Sequence, residues 1–174
     1  MRCISILLAF LYTSSGHALW EAFQYEEYAA ANSEDVSGSQ WLNIGYFYEA
    51  CKFPVLQIID THTNPSKIPR GTKIPVTLRV DGNEPWEWSA SVEDAHVMEN
   101  VYVSIKAPIT SNFIEELIEG EMLRAKTGSE TTVSWQLKGA TKALSQAFRI
   151  CIQTANDRVP GSGLDSYPEG KGYF

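Results

Sequence analysis

The sequence predicts an α+β fold in which an antiparallel β-sheet, or a sandwich-like β core, packs against two amphipathic helices and is closed by one disulfide. Stretches typical of strands follow one another through most of the chain, and only residues 112–120 and 140–152 combine helical periodicity with helix-end signals. Regular helices do not separate these strands as they do in a parallel sheet, so we expect antiparallel pairing.

The amino-terminal segment 1–18 has the tripartite pattern of a secretory signal peptide. Arg2 precedes an apolar run at 3–12, and Gly16 and Ala18 are small residues at the minus-three and minus-one positions of a cut after Ala18. The run is about half of the ~20 residues that a membrane-spanning helix requires. We therefore predict cleavage near Ala18, a secreted or periplasmic location and no permanent membrane anchor.

For the rest of the chain, the sequence predicts one domain followed by a tail. Residues 19–155 are enough for a single secreted α+β domain with its own core, and no internal repeat divides them. Residues 156–174 are rich in glycine and proline and poor in apolar residues, which predicts a flexible carboxyl-terminal tail.

Two cysteines, Cys51 and Cys151, remain once Cys3 has left with the signal peptide. A pair of cysteines in an oxidising compartment predicts one disulfide. Closing a loop of about 100 residues stabilises a domain by ~4–5 kcal/mol in the chain-entropy estimate. The alternatives are two buried thiols or a redox pair, but the chain has no C-x-x-C spacing to support redox chemistry.

In the first half of the domain, the sequence predicts one short helix and either a strand pair or one broken strand. Residues 26–31 favour a short helix followed by a polar loop. Aromatic and apolar residues dominate 41–53 and 55–59, with Pro54 between them, so these segments predict a strand pair or one broken strand. Two prolines and a glycine at 63–71 predict a loop.

Strict alternation of apolar and polar residues predicts three further strands at 74–80, 86–89 and 101–106. Asp81-Gly82-Asn83 has the composition of the turn that ends the first of them. Extended segments at 122–127 and 131–137 predict a closing hairpin.

The two helices are predicted from capping signals and apolar stripes. Asn112 and Glu115 have the spacing of a capping box, and Gly120 supplies a carboxyl-terminal stop. In the last helix, apolar residues recur every three or four positions, and Cys151 lies on that stripe. We therefore expect this helix to pack against the strand that bears Cys51.

Residues 107–151 resemble the carboxyl-terminal half of the invasion-associated locus B family of small secreted bacterial proteins. The shared layout is a short helix ending at Gly120, an extended hairpin, and Leu137-Lys138-Gly139-Ala140 leading into a helix of small residues. This chain has one cysteine pair and carries Ala140 where an aromatic residue is expected. The resemblance implies a bacterial envelope setting, and the family has no assigned catalytic residues to transfer.

No arrangement of residues predicts a reaction, and we expect neither a catalytic residue nor a metal or other cofactor. His62 and His96 are the natural candidates for a base or a metal ligand, but they lack a repeated His spacing or a calcium-loop pattern. The serine-elbow, phosphate-loop and zinc-helix motifs are absent from the sequence. We therefore favour binding over catalysis without excluding an enzyme.

The formal charge of −7 argues against nucleic acid as a partner, because binding phosphates requires clustered Lys and Arg. The negative charge favours a basic envelope or secreted protein as the partner. Inhibitors and immunity-type proteins recognise partners of this kind. A structural or virulence-associated envelope role is a further alternative. The oligomeric state is not predicted.

The candidate binding surface combines two tryptophans of one strand with nearby acidic residues. Its members are Trp86, Trp88, Glu87, Glu115, Glu116 and Glu119. An aromatic face of this kind grips a sugar or a cationic protein. The alternatives are that the tryptophans fill the core and that the glutamates form the solvated face of a helix. Carbohydrate or peptidoglycan binding, with or without weak hydrolysis, is the alternative to a protein partner.

Overall fold

The computed structural model describes residues 20–60, 69–97, 100–127 and 132–158. The predicted signal peptide, most of the predicted loop at 63–71 and His62 lie outside these ranges. The predicted tail does too, except for residues 156–158, which continue the last helix.

Nine strands and two helices lie within the described residues. The strands are β1 (Glu21–Gln24), β2 (Tyr28–Glu34), β3 (Gln40–Phe47), β4 (Val55–Asp60), β5 (Lys73–Val80), β6 (Trp86–Val97), β7 (Asn100–Pro108), β8 (Met122–Thr127) and β9 (Val133–Gln136). The helices are α1 (Ser111–Glu119) and α2 (Ala140–Arg158).

The strands form one antiparallel sheet in the order β1-β2-β3-β4-β7-β6-β5-β8-β9. This confirms the predicted α+β class with its antiparallel sheet, two helices and one disulfide. The stretch around Pro54 is a strand pair rather than one broken strand, because β3 and β4 are separate and pair directly.

One face of the sheet, which we call the inner face, carries the hydrophobic core and both helices. Its strand residues alternate with outward ones, so that Leu42, Ile44, Leu56 and Leu78 are buried while their neighbours face outward. Trp135 of β9 is fully buried among them.

The predicted short helix at 26–31 is wrong, because these residues form the turn between β1 and β2 and the start of β2. Alanine favours a helix locally. Here Ala29, Ala30 and Ala31 are fully buried, and β2 pairs with a strand on each side. Pairing and burial on both faces outweigh a local preference worth less than about 1 kcal/mol per residue.

The Cys51–Cys151 disulfide is present, with its Cα atoms 5.9 Å apart. It joins α2 to the turn that follows β3, so Cys51 lies just beyond a strand instead of within one. The buried stripe of α2 includes Cys151 as predicted, and the helix packs on β1, β2 and β3.

Helix α1 begins two residues earlier than the predicted capping box. Thr110 is the N-cap, and its Oγ1 accepts a hydrogen bond from the N–H of Phe113 at 3.3 Å. Gly120 ends the helix as predicted, and its N–H donates to Glu116 O. Phe113 and Leu117 are the buried residues of the helix.

The sheet curls until its first strands approach its last one. The indole Nε1 of Trp20 donates to Gln136 O at 2.7 Å, and Val36 N donates to Ser134 O at 3.0 Å. Both acceptors belong to the edge strand β9, so part of that edge is satisfied by the opposite end of the sheet.

Asp35 organises the turn that makes this contact. Its carboxylate accepts from the N–H groups of Ser37, Ser39 and Gln40 at 3.0, 2.6 and 2.7 Å, and from Ser37 Oγ. Burial alone would raise the pKa of Asp35, but these hydrogen bonds outweigh it and hold the pKa below its ordinary value.

We predict that Gly120→Ala lowers the free energy of unfolding by about 1–3 kcal/mol, measured from the urea midpoint. A Cβ there would overlap the buried Val80 Cγ1 and lie 2.9 Å from Glu116 O. Gly82→Ala is the matched control, since a Cβ at Gly82 meets no atom within 4 Å. Equal midpoints for the two variants would contradict the packing described.

We predict that Asp35→Asn lowers the free energy of unfolding by about 1–3 kcal/mol near neutral pH, because the buried turn loses its charged acceptor. A depressed pKa stabilises the fold above the unfolded value of about 3.9, and that contribution disappears as pH falls through the lower folded value. The difference between wild type and variant should therefore shrink below about pH 4. A difference independent of pH, or equal to that of Glu119→Gln, would contradict it.

Candidate functional site

A groove of about 840 Å³ runs along the face of the sheet opposite the helices. We call it the outer groove. Its lining comes from β1, β2, β3 and β4, from the turn between β1 and β2, and from Asp94 and Lys106 on β6 and β7. Residues distant in sequence meet there because strand order places β7 beside β4.

Four aromatic rings form one wall of the outer groove. Tyr25 and Tyr28 stack nearly parallel with ring centroids 4.6 Å apart. The ring centroid of Phe47 lies 5.3 Å from that of Tyr28, and the centroid of Phe23 lies 6.4 Å from that of Tyr25. Trp41 also lines the groove and is 36% exposed. Aromatic faces of this kind provide flat apolar surface for a ligand.

Small residues under this wall allow the rings to lie close to the sheet. Ala30 of β2 and Gly45 of β3 are opposite each other in the register and point outward. A Cβ on Gly45 would lie 3.4 Å from Cδ2 of Tyr28, in van der Waals contact with the ring. The Tyr28 ring therefore lies directly over the backbone of Gly45.

A row of amide side chains crosses the floor of the groove. Asn32, Asn43 and Gln57 are direct cross-strand neighbours, and Lys106 continues the row on β7. Gln57 Nε2 donates to Ser104 Oγ at 2.9 Å. Polar residues are common on the face of an antiparallel sheet away from its core, and the informative feature here is that two of these amides are buried.

The side chains of Asn32 and Asn43 are buried, and in each of them the carbonyl oxygen receives no hydrogen bond. Asn32 and Asn43 are 7% and 5% exposed, and the Oδ1 of each has no hydrogen-bond partner. Asn32 Nδ2 donates to the Tyr25 hydroxyl at 2.9 Å. Tyr25, which is 38% exposed, lies at the rim of the groove beside them.

One tyrosine of the groove has a shifted pKa, and two charged lining residues have ion-pair partners. Burial raises the pKa of Tyr28, the neighbouring Tyr25 and Glu27 raise it further, and a hydrogen bond from Asn43 opposes them. Asp94 is paired with Arg70, and Lys106 with Glu93 at 2.9 Å. Glu26 and Glu27 line the end formed by the turn between β1 and β2.

The tryptophans of the predicted binding surface lie on the inner face of the sheet. Trp86 and Trp88 stack with centroids 5.6 Å apart, and Phe113 of α1 contacts their rings edge-on at 5.8 and 5.0 Å. Each is partly buried against the core. Trp86 Nε1 donates to Glu116 Oε1 at 3.0 Å.

The structure brings together only part of that predicted set. Glu116 contacts Trp86 and also accepts from Asn83 Nδ2. Glu115 and Glu119 are exposed on α1. Glu87 is exposed and, as the strand neighbour of both tryptophans, points to the other face of the sheet.

The outer groove was not predicted from the sequence. The available signal was Asn32, Asn43 and Gln57, which are polar residues inside segments otherwise apolar enough to be strands. Among the described residues no group of three His, Cys, Asp or Glu side chains is placed to hold a metal ion. No helix in those ranges is long and apolar enough to span a membrane.

No family model matches the chain. No curated protein matches its sequence. Among solved structures it is similar to invasion associated protein B from Bartonella henselae, with 14% identity and a TM-score of 0.48. The alignment covers 77% of this chain and 94% of that one. The weak, partial resemblance predicted from residues 107–151 is thereby confirmed.

Proposed function

We propose that this chain is an exported carbohydrate-binding module whose ligand lies in the outer groove. The observation that carries the proposal is the pair of buried asparagines with unpartnered Oδ1 atoms beside a row of aromatic rings. Sugars present apolar ring faces and hydroxyl groups at once, and this lining offers a complement to both.

The hydrogen-bonding groups of the groove suit hydroxyl groups, which donate and accept. Asn32 donates to Tyr25, so its carbonyl oxygen remains as an acceptor while the tyrosine hydroxyl keeps its proton to donate. An unmet buried acceptor costs about 1–3 kcal/mol, and a donor from a ligand offsets that cost. The volume of about 840 Å³ lies within the ~300–1,000 Å³ usual for such sites.

The disulfide supports the export part of the proposal. Disulfides persist in oxidising compartments, and the Cys51–Cys151 bridge joins the turn after β3 to α2. Together with the predicted signal peptide it favours a periplasmic or secreted protein, which meets the glycans of the cell envelope.

Calorimetric screening of neutral and amino-sugar oligosaccharides against the wild-type protein should identify a glycan ligand. We predict that Trp41→Ala binds this ligand about tenfold more weakly than wild type does, because one ring of the groove lining is lost. Trp41→Phe should keep most of the affinity while losing the ligand-dependent change in tryptophan fluorescence.

Phe53→Ala is the matched control, since Phe53 is 74% exposed and does not line the groove. Binding that is equally weakened in Phe53→Ala would place the ligand elsewhere. Failure of every glycan in the panel to bind wild type would reject the proposal.

A second proposal retains the basic protein partner. Glu115 and Glu119 are exposed on α1 beside Glu116, whose carboxylate is held by Trp86 and Asn83. This arrangement fixes one carboxylate and leaves two accessible to a positively charged surface.

We predict that immobilised mature protein captures a basic envelope or secreted protein and releases it at high salt, since exposed charges are screened. Glu115→Gln/Glu119→Gln should reduce capture severalfold. Glu26→Gln/Glu27→Gln, with the same change in charge on the outer groove, should retain it. The opposite order, or capture that resists salt, would reject this partner surface.

A further inference from the structure

The turn between β1 and β2 places two carboxylates at one end of the outer groove. Glu26 and Glu27 are both exposed, and both line the groove. Their backbone is held, because Glu27 O accepts from Tyr48 N at 3.2 Å and Glu26 O accepts from the Arg158 guanidinium. In the described part of the chain neither carboxylate belongs to an ion pair.

The other charges that line the groove are neutralised by partners. Asp94 is paired with Arg70, and Lys106 is paired with Glu93. Among the charged lining residues, Glu26 and Glu27 are therefore the two without an ion-pair partner in the described part of the chain, although the Arg158 guanidinium lies beside them on Glu26 O.

The groups next to these carboxylates also suit a cation with several N–H donors. The rings of Tyr25 and Tyr28 adjoin the turn, and an aromatic face attracts a cation. Farther along the groove, on β2 and β3, the unpartnered Oδ1 atoms of Asn32 and Asn43 need donors. An ammonium group has three donors and accepts nothing, so it suits the Glu26 and Glu27 carboxylates, while the hydroxyl groups of the same ligand serve the asparagine oxygens.

We infer that the outer groove binds a glycan with free amino groups, that is, an amino sugar without its acetyl group, and holds the ammonium group at Glu26 and Glu27. The inference rests on the proposed carbohydrate-binding function and adds the charge class of the ligand. A sugar is favoured over a lysine side chain because aromatic faces and a row of amides line the groove around the carboxylates.

The test compares two ligands that differ only in acetylation. Calorimetry with the whole mature chain measures binding of a glucosamine tetramer and of the fully N-acetylated tetramer, at pH 5.5 and low salt, with trilysine as a third arm. We expect the glucosamine tetramer to bind at least tenfold more tightly than either. Its advantage should fall as salt screens the carboxylates.

The variant Glu26→Gln/Glu27→Gln should remove the preference for the free amine and leave affinity for the acetylated tetramer within twofold. Glu115→Gln/Glu119→Gln changes the net charge equally but lies on α1, and it should retain the preference. Loss of preference in both variants would mean that net charge alone attracts the amine, which overturns the inference.

The remaining outcomes separate this inference from the proposed function. Equal or tighter binding of the acetylated tetramer overturns the amine inference while carbohydrate binding stands. Tightest binding of trilysine overturns it in favour of a basic peptide. If neither tetramer binds and the wider glycan panel also fails, the proposed function itself is rejected.

Discussion

Ala29 and Ala31 have no side chain beyond Cβ, and α2 therefore lies close against β2, where the Cys51–Cys151 disulfide holds it. This contact positions β2, whose other face lines the outer groove. Ala30, between them, faces outward beneath the aromatic wall. The same three residues thus set the depth of the helix on one face and the depth of the groove on the other, because a larger side chain on either face would force the layers apart.

The elements that follow from local pattern were predictable from sequence. Alternation gave β5 correctly, and the apolar stripe that includes Cys151 gave α2 and, with the cysteine pair, the disulfide. The strand at residues 28–31 was not predictable from the sequence, because its alanines indicate a helix until the neighbouring strands on both sides are known. The N-cap moved from Asn112 to Thr110 for a similar reason, since several polar residues precede the helix and only the observed hydrogen bond selects one.

The candidate site was beyond the reach of sequence because its residues come together only through strand order. Asn32, Asn43 and Gln57 are separated by 11 and 14 positions and become neighbours through the cross-strand register. The paired tryptophans, by contrast, were conspicuous in the sequence. Phe113 contacts both of their rings, and the indole of Trp86 donates to Glu116, so much of their surface stabilises α1 on the sheet.

The closing of the sheet on itself has a consequence for the behaviour of the protein in concentrated solution. An edge strand with free carbonyl and N–H groups is a template on which another chain can pair and aggregate. In β9, Ser134 O and Gln136 O already accept hydrogen bonds from Val36 and Trp20. A second molecule would have to displace both before it could extend the ladder there, so the curl of the sheet protects the β9 edge against edge-to-edge pairing.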